Sequence, residues 1–312
     1  RKKLSAATTA AAFTLVAFGL VPSDAMSQST AMQEDALTKA QFLEDIGSAE
    51  RIDKAGRLRM LSQRIPAAAC NVYAEINSGE SEAILHDAIL EFDQILAALE
   101  FGDESLGILG AEERRKTLAA IHTLKEHWLP IEEIVIEIEN HQTTAEHVQH
   151  MADENMAILE DAKLLVSEIA GEYSDPTALL QADALRIDIA GRQRMLTQKL
   201  SKEVCFISSG INAEASMEVL GGTINMFEVS LNALHHGMPE AGIGPAPNEE
   251  IAAQLEIVAE DWAVIKPHLD VILAGGVLDE ATRGDVFMGL NKTLVDMNTA
   301  VMMFADSSKL GL

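Results

Sequence analysis

Basic residues are scarce in this sequence, and so are signs of β-structure. The 23 Lys and Arg stand against 49 Asp and Glu, which gives a formal net charge of −26. Such an excess of negative charge argues against nucleic acid or an anionic membrane surface as the main partner. Alternation of β-branched residues is absent, whereas apolar residues recur at spacings of three and four. This periodicity predicts an all-α fold.

Motifs that would indicate catalysis or a cofactor are also missing. The chain has no Cys-x-x-Cys-His for covalent haem, no Gly-Lys-Ser/Thr phosphate loop and no Gly-x-Ser-x-Gly elbow. His141, His147 and His150 lie near Glu146, but no Glu-x-x-His pair recurs along the chain. A solvated cluster is therefore favoured over a metal site. We expect no enzymatic activity, no cofactor and no metal.

Long apolar runs are absent after the first 25 residues. Those residues begin with Arg1-Lys2-Lys3, continue with an apolar run over 6–21 and reach the small residue Ala25. This order is typical of a secretory signal peptide, 1–25, cleaved after Ala25, with an uncleaved membrane anchor as the alternative. We expect the mature chain in the periplasm, a compartment that permits disulfides.

What the chain has instead is a long internal repeat. RIDKAGRLRMLSQRIPAAAC at 51–70 returns as RIDIAGRQRMLTQKLSKEVC at 186–205, at a constant offset of 135 residues. Weaker identities continue at the same offset, and they pair Phe92, Leu96, Leu99 and Gly102 with Phe227, Leu231, Leu234 and Gly237. We predict two tandem modules, 26–172 and 176–312, each an up-down-up-down four-helix bundle.

The helix limits follow from the apolar periodicity and from Gly, Pro and Asn stop signals. The predicted helices span 34–77, 81–101, 111–139 and 144–170, and then 177–209, 213–236, 248–273 and 279–306. A tight turn at 171–176 would send the first helix of the second module parallel to its counterpart in the first. The two motif helices would then lie side by side about a pseudo-twofold axis.

The motif helix has a face of small residues with one arginine in its middle, Arg59 in the first copy and Arg194 in the second. Gly56 and Gly191 lie on this face. Each costs about 1 kcal/mol of helix propensity relative to Ala, which suggests that another helix must approach closely. A buried arginine needs a partner. That partner is either a carboxylate from another helix or an external planar anion between two guanidinium groups.

The other charged residues of the motif are expected away from this face. Asp53 and Asp188 precede Arg57 and Arg192 by four residues, which favours ion pairs within each helix. Arg57 and Arg64 point away from the small-residue face, so we expect them on the solvated surface.

The two cysteines, Cys70 and Cys205, occupy equivalent positions of the repeat. Each lies about three turns after the central arginine, on the same face. In an oxidising compartment such a pair either forms a disulfide across the axis or remains two buried thiols. A disulfide would require the two motif helices to face each other.

The motif resembles the sensor domain of nitrate and nitrite sensor histidine kinases of the NarX and NarQ type, and the PilJ-type N-terminal domain of type IV pilus chemoreceptors. Two stretches carry the resemblance, Ile52 to Arg64 and Ile187 to Lys199. In the nitrate sensors one nitrate sits between two copies of this helix. It is held by the arginine before Met and by backbone near the glycine three residues earlier.

Carried over to this sequence, the resemblance implies a ligand site made of Gly56, Arg59, Gly191 and Arg194. Arg64 and Lys199 are possible secondary ligand residues. Lysine at 199 departs from the resembled pattern, because it replaces the second arginine of the motif and loses a bidentate fork.

We therefore expect a monomer that contains an internal pseudo-dimer and binds nitrate, nitrite or a similar small oxyanion. The transmembrane and signalling parts of the sensors do not follow the second module, so we expect a membrane-bound sensor or transporter as partner. The alternative is a helical interaction module whose arginines are paired internally. Its small-residue face would bind a membrane sensor or receptor without a small-molecule ligand.

Overall fold

The computed structural model describes residues 50–140, 142–173 and 181–310, together with Ser48, and all of them lie in one compact unit, 46–312. The helices are α1 (50–73), α2 (Ser78–Phe101), α3 (Arg115–Glu139), α4 (Ala145–Tyr173), α5 (Gln181–Ser209), α6 (Ala213–His236), α7 (Glu249–Leu273) and α8 (Glu280–Leu310). The described residues form no strand beyond two isolated β-bridges. The predicted all-α class is confirmed.

The predicted signal peptide and its cleavage site lie outside the described residues, and so does the boundary segment 174–180 between the two predicted modules. Among the helices of the described part, none is long and apolar enough to cross a membrane.

Several predicted helix ends need correction. The helix α1 ends at 73 rather than 77, because Glu75 and Asn77 adopt left-handed backbone with φ of 55° and 45°. The helix α4 continues through Gly171 to Tyr173, so Gly171 does not begin the linker. The helix α3 begins at Arg115 rather than at 111.

The late start of α3 is due to a loop that Arg51 holds. Nη1 of Arg51 donates to the carbonyl of Leu99 at 3.0 Å, and Nη2 donates to the carbonyl of Gly110 at 2.5 Å. At Gly102 a Cβ atom would lie 2.7 Å from that same carbonyl oxygen, and φ is +84°, so glycine is required there. Residues just before Arg115 are thus fixed in a loop instead of a helical turn.

Each half has the same aromatic centre. The Phe92 and Trp128 rings lie 4.3 Å apart in the first half, and the Phe227 and Trp262 rings lie 4.4 Å apart in the second. Such tilted aromatic pairs contribute to core stability beyond the area that they bury. The duplicated sequence therefore builds duplicated packing.

The two halves meet along α1 and α5. Arg59 of α1 contacts Asp188 of α5, Arg194 of α5 contacts Asp53 of α1, and a disulfide joins the helices further along. Residues at equal positions of the two copies face each other, which occurs when two helices run parallel and in register. The predicted side-by-side pairing of the motif helices is confirmed.

Candidate functional site

Arg59 of α1 and Arg194 of α5 converge between two buried glycines. A Cβ atom at Gly56 would lie 3.6 Å from Nη2 of Arg59 and 3.7 Å from Nη2 of Arg194, and a Cβ atom at Gly191 would lie at the same two distances. Only 7% of Arg59 and 3% of Arg194 are exposed. Two guanidinium groups therefore share one buried space on the pseudo-twofold axis.

Each of these arginines pairs with an aspartate of the opposite helix. Nη1 of Arg59 lies 3.2 Å from Oδ1 of Asp188, and Nη2 of Arg194 lies 3.1 Å from Oδ1 of Asp53. Of the two partners that the sequence allows, the structure contains the carboxylate from another helix. The aspartate side chains are 34% and 36% exposed, so they stand between the guanidinium groups and solvent.

The prediction that both aspartates pair within their own helices is half wrong. Asp188 does pair with Arg192, four residues further on, at 2.5 Å. Arg57 pairs instead with Glu91 of α2. At the position equivalent to Glu91, α6 carries Met226, so the second copy has no such carboxylate within its own half.

The two central arginines are electrostatically costly. Burial lowers the pKa of both Arg59 and Arg194 from its ordinary value, and the facing aspartates offset part of that shift. Repulsion from Arg192 and Arg194 lowers the pKa of Arg59 further. The Nε atom of each arginine is buried without a hydrogen-bond partner among the described residues. Nη1 of Arg194 donates to Oδ1 of Asn298 on α8 at 2.9 Å.

The two possible secondary residues take different partners. Nη1 of Arg64 donates to Oδ1 of Asn291 on α8 at 2.6 Å, so the prediction that Arg64 lies on the solvated surface is wrong. Lys199 does not copy this contact. It forms an ion pair with Glu203, one turn further on, and donates to the hydroxyl of Thr223 at 2.7 Å.

Lys202 of α5 is a residue of this interface that sequence reasoning missed. Its Nζ donates to Oε1 of Gln63 at 2.7 Å and to Oδ1 of Asn155 at 2.5 Å. The residue is 4% exposed, and burial lowers its pKa to about 7. Lys202 stands where the first copy has Ala67, so identities between the copies do not reveal it. The available signal was a lysine about 80° from Arg194 on the helical wheel, at the edge of the small-residue face.

Cys70 and Cys205 form a disulfide, with their Cα atoms 6.1 Å apart. Both residues are buried, at 0% and 2% exposed. Of the two alternatives, a disulfide and two free thiols, the structure has the disulfide. It joins the two halves covalently at the end of the motif helices.

The histidine cluster has ordinary surface contacts where it is described. Nε2 of His147 lies 3.0 Å from Oε2 of Glu137, and His150 is exposed, while His141 lies outside the described residues. Within the part of the chain that the structure describes, no group of three or more His, Cys, Asp or Glu side chains is placed to hold a metal ion.

Comparison with known protein families places both copies of the repeat in one family. The model of the PilJ family, described as the type IV pili methyl-accepting chemotaxis transducer N-terminal domain, matches residues 45–153 and 177–282, more than half of the chain. The chain belongs to the PilJ family. PilJ domains are sensory domains of chemotaxis transducers, a non-enzymatic kind of protein, and they are typically periplasmic.

A curated relative agrees with this membership over a shorter stretch. The chain is 34% identical over 86 residues to methyl-accepting chemotaxis protein McpN of Pseudomonas aeruginosa. The match covers 28% of this PilJ-family chain and 16% of that protein. The similarity therefore covers a small part of that protein and not its whole length.

Proposed function

We propose that this PilJ-family chain binds a small planar oxyanion, nitrate or nitrite, between Arg59 and Arg194. The observation that carries the proposal is the convergence of two buried guanidinium groups on Gly56 and Gly191. Each group has an Nε–H without a partner among the described residues. Guanidinium forks match the oxygen geometry of planar oxyanions, so one anion on the axis could accept hydrogen bonds from both.

The glycines support this assignment. The sequence predicts that close helix packing requires glycine at these positions. However, a Cβ atom at either position would lie at ordinary van der Waals distance from the guanidinium nitrogens. Packing in the structure therefore does not require glycine. A ligand that contacts the backbone between the two arginines would require it.

The charge around the site also favours an anion. The next cations along the interface, Arg64 and Lys202, make their hydrogen bonds to amide oxygens, which do not cancel their charge. Burial lowers the pKa of both groups, which shows that their positive charge is disfavoured as they stand. An anion between Arg59 and Arg194 would add negative charge to an interface in which these cations are buried.

The two aspartates would act as exchangeable internal counter-ions. When an anion binds, each aspartate keeps a second cation, because Asp188 also pairs with Arg192 and Asp53 lies 3.7 Å from Lys54. Their partial exposure allows water to solvate the oxygens that the arginines release. Exchange of one carboxylate for a nitrate therefore leaves no buried charge unpaired.

A second candidate function rests on the same aspartates. Because both central arginines already have carboxylate partners, the chain could be an interaction module that binds a membrane sensor or receptor without a small ligand. In either case we propose a periplasmic location, a monomeric chain and a membrane-bound sensor or transporter as the partner.

Thermal unfolding in different anions separates the two candidates. We would measure Tm with nitrate, nitrite, sulfate and chloride at constant ionic strength, for the wild type and for Arg59→Ala plus Arg194→Ala. A ligand at about 100 times its Kd stabilises the folded state by about 2.7 kcal/mol. We expect a selective rise of several degrees in nitrate or nitrite that the double variant loses. Arg115→Ala is the matched control, because Arg115 is exposed on α3, outside the α1–α5 interface.

A second variant tests the counter-ion exchange directly. Asp53→Asn plus Asp188→Asn removes the internal carboxylates, so the two buried arginines lose their partners at a cost of about 3–5 kcal/mol. We expect a lower Tm in chloride and a larger rise in nitrate than the wild type shows. If Tm does not change between the four anions, either for this variant or for the wild type, the ligand-free interaction module is favoured.

A further inference from the structure

The outer surface of α7 and α8 carries two exposed apolar stripes. On α7 the stripe is Ile257, Val264 and Val271, and on α8 it is Met288, Val295 and Met302. Residues within each stripe are seven apart, so each runs along one side of its helix. Val264 is 70% exposed and Val295 is 64% exposed, and each lies near the centre of its helix, so the exposed apolar surface is continuous along both helices.

The two stripes face the same side. Lys292 of α8 reaches across to Asp261 of α7 at 2.6 Å, and its side chain is 61% exposed, so this ion pair marks the outer surface of the α7–α8 seam. Val264 lies three residues after Asp261, and Val295 lies three residues after Lys292. Residues three apart are neighbours on a helix surface, so both stripes flank the same exposed ion pair.

The first half of the molecule has no apolar stripe at the equivalent positions, and its exposed apolar residues Leu129, Ile136 and Leu164 lie at other positions of α3 and α4. The burial pattern of α4 matches that of α8 at the offset of 135, and the residues that correspond to the α8 stripe are Asp153, Glu160 and Ser167. The two tryptophans align α3 with α7 at an offset of 134, and there the counterparts are Thr123, Pro130 and Glu137. All six are exposed, so the fold itself does not need apolar residues on this face.

The charge of the surroundings indicates the occupant. Glu256 and Glu260 on α7 and Asp285 on α8 are exposed beside the stripes, and the whole chain carries −26. The two lysines of this surface, Lys266 and Lys292, form ion pairs with Asp270, Asp261 and Asp296, so the acidic residues remain in excess. A second copy would bring two acidic rims together, and an anionic membrane would be repelled. Apolar residues at heptad spacing on two adjacent helices form the kind of groove that accepts a third helix.

We propose that the α7–α8 face binds an amphipathic helix of a partner protein, with apolar residues at heptad spacing and basic residues along its margins. The surface is separate from the proposed anion site, yet α8 also supplies Asn298, which holds Arg194 at 2.9 Å. A partner on this face would therefore contact the helix that positions one of the two central arginines.

Binding of a designed helix to the full chain tests the surface. The probe is a labelled peptide about four heptads long, with Leu at the a and d positions and Lys at e and g, and its twin carries Glu at e and g. Fluorescence anisotropy would be recorded at about 0.15 M and about 0.5 M NaCl, below the self-association range of the peptides. We expect the Lys peptide to bind, the Glu peptide not to bind, and binding to persist in part at high salt.

Two double variants locate the binding. Val264→Ser plus Val295→Ser is expected to weaken binding about tenfold or more, because apolar contact is lost without a change in charge. The matched control is Leu129→Ser plus Leu164→Ser, which removes two exposed leucines from the first half and is expected to leave Kd within about twofold.

Three results would overturn the assignment. One is equal weakening by both double variants, and another is binding of the Glu peptide as tightly as the Lys peptide. The third is a dimer of the wild type, seen by sedimentation velocity, that Val264→Ser plus Val295→Ser dissociates. That outcome would assign the surface to a second copy of this chain. None of these results bears on the anion site, which anion-dependent unfolding tests separately.

Discussion

The two copies of the repeat make similar contacts at one level of the α1–α5 interface and different contacts at a second level along the same helices. At the level of Arg59 and Arg194 the copies share their central contacts, because each arginine faces both glycines and pairs with the aspartate of the opposite helix. Arg194 also donates to Asn298, where the first copy has Lys163. One to two turns further on, at the second level, each half contributes one glutamine and one asparagine side-chain oxygen that accept hydrogen bonds from a cation. Arg64 of α1 donates to Gln198 and Asn291 of the second half. Lys202 of α5, at a position of the motif that does not correspond to Arg64, donates to Gln63 and Asn155 of the first half.

This difference is explained by what each level binds. A ligand on the pseudo-twofold axis contacts both copies in the same way, so a level that serves it keeps both copies alike. The second level needs only a cation against two amide oxygens, and either an arginine or a lysine meets that need. The levels are joined by matched hydrogen bonds, since Ser62 donates to the carbonyl of Arg59 at 2.9 Å and Thr197 donates to that of Arg194 at 2.8 Å.

The largest expected effect comes from cutting the covalent link between the equivalent copies. In Cys70→Ser plus Cys205→Ser the disulfide is lost, and with it the constraint on a segment of 135 residues in the unfolded chain. Loop-closure entropy predicts a fall of about 5 kcal/mol in the free energy of unfolding. Urea denaturation measures it.

Chemical reduction of the wild type is the control for the disulfide, and it should give the same loss as the double variant. The nitrate-dependent rise in Tm should survive in both, because ion pairs and packing also hold α1 against α5. A loss below about 1 kcal/mol would show that the two halves associate fully without the link.

The next effect separates the two cations of the second level. Lys202 has a pKa of about 7 in the folded chain and its ordinary, higher value in the unfolded chain. Between those values the unfolded state binds more protons, so stability rises with pH, by up to about 1.4 kcal/mol per pH unit. We expect this rise between about pH 7 and pH 9 in urea denaturation of the wild type. Lys202→Met should flatten it.

Arg64→Met is the matched control for Lys202. It removes a cation from the other pair of amide acceptors, but arginine stays protonated throughout this range, so the slope of stability against pH should remain. Equal slopes in the wild type and in Lys202→Met would mean that the buried lysine is solvated in solution.

The features of the fold that could be predicted from the sequence are those that the repeat determines. An offset of 135 shared by Arg59, Gly56 and Cys70 with their counterparts requires two like halves, and small residues on the face of each motif helix predict that α1 and α5 pack together. The start of α3 could not be predicted, because it depends on the long-range contact of Arg51 with the carbonyl of Gly110.

The ion pairs of the site could not be predicted for the same reason. On a helical wheel Asp53 lies off the arc of Arg59, and its spacing predicts an ion pair with the arginine four residues further on. In the structure it reaches the arginine of a neighbouring helix, Arg194. The role of Lys202 could not be predicted because its acceptors, Gln63 and Asn155, come from two other helices. Local spacing describes one helix, whereas these contacts depend on how three helices meet.

The smallest expected effect tests whether Gly56 and Gly191 contribute equally to one anion site. Gly56→Ala and Gly191→Ala should each raise the free energy of unfolding by about 1 kcal/mol, because Ala favours the helix and its Cβ has room. Both should also abolish the nitrate-dependent rise in Tm, because the methyl group would occupy the space between the guanidinium groups.

Gly222→Ala, in the interior of α6 with nothing within 4 Å of its Cβ, is the matched control. It should give the same gain in urea denaturation and keep the nitrate response. A nitrate response that persists in either motif variant would place the anion elsewhere, and unequal responses of the two variants would show that the copies do not share one ligand.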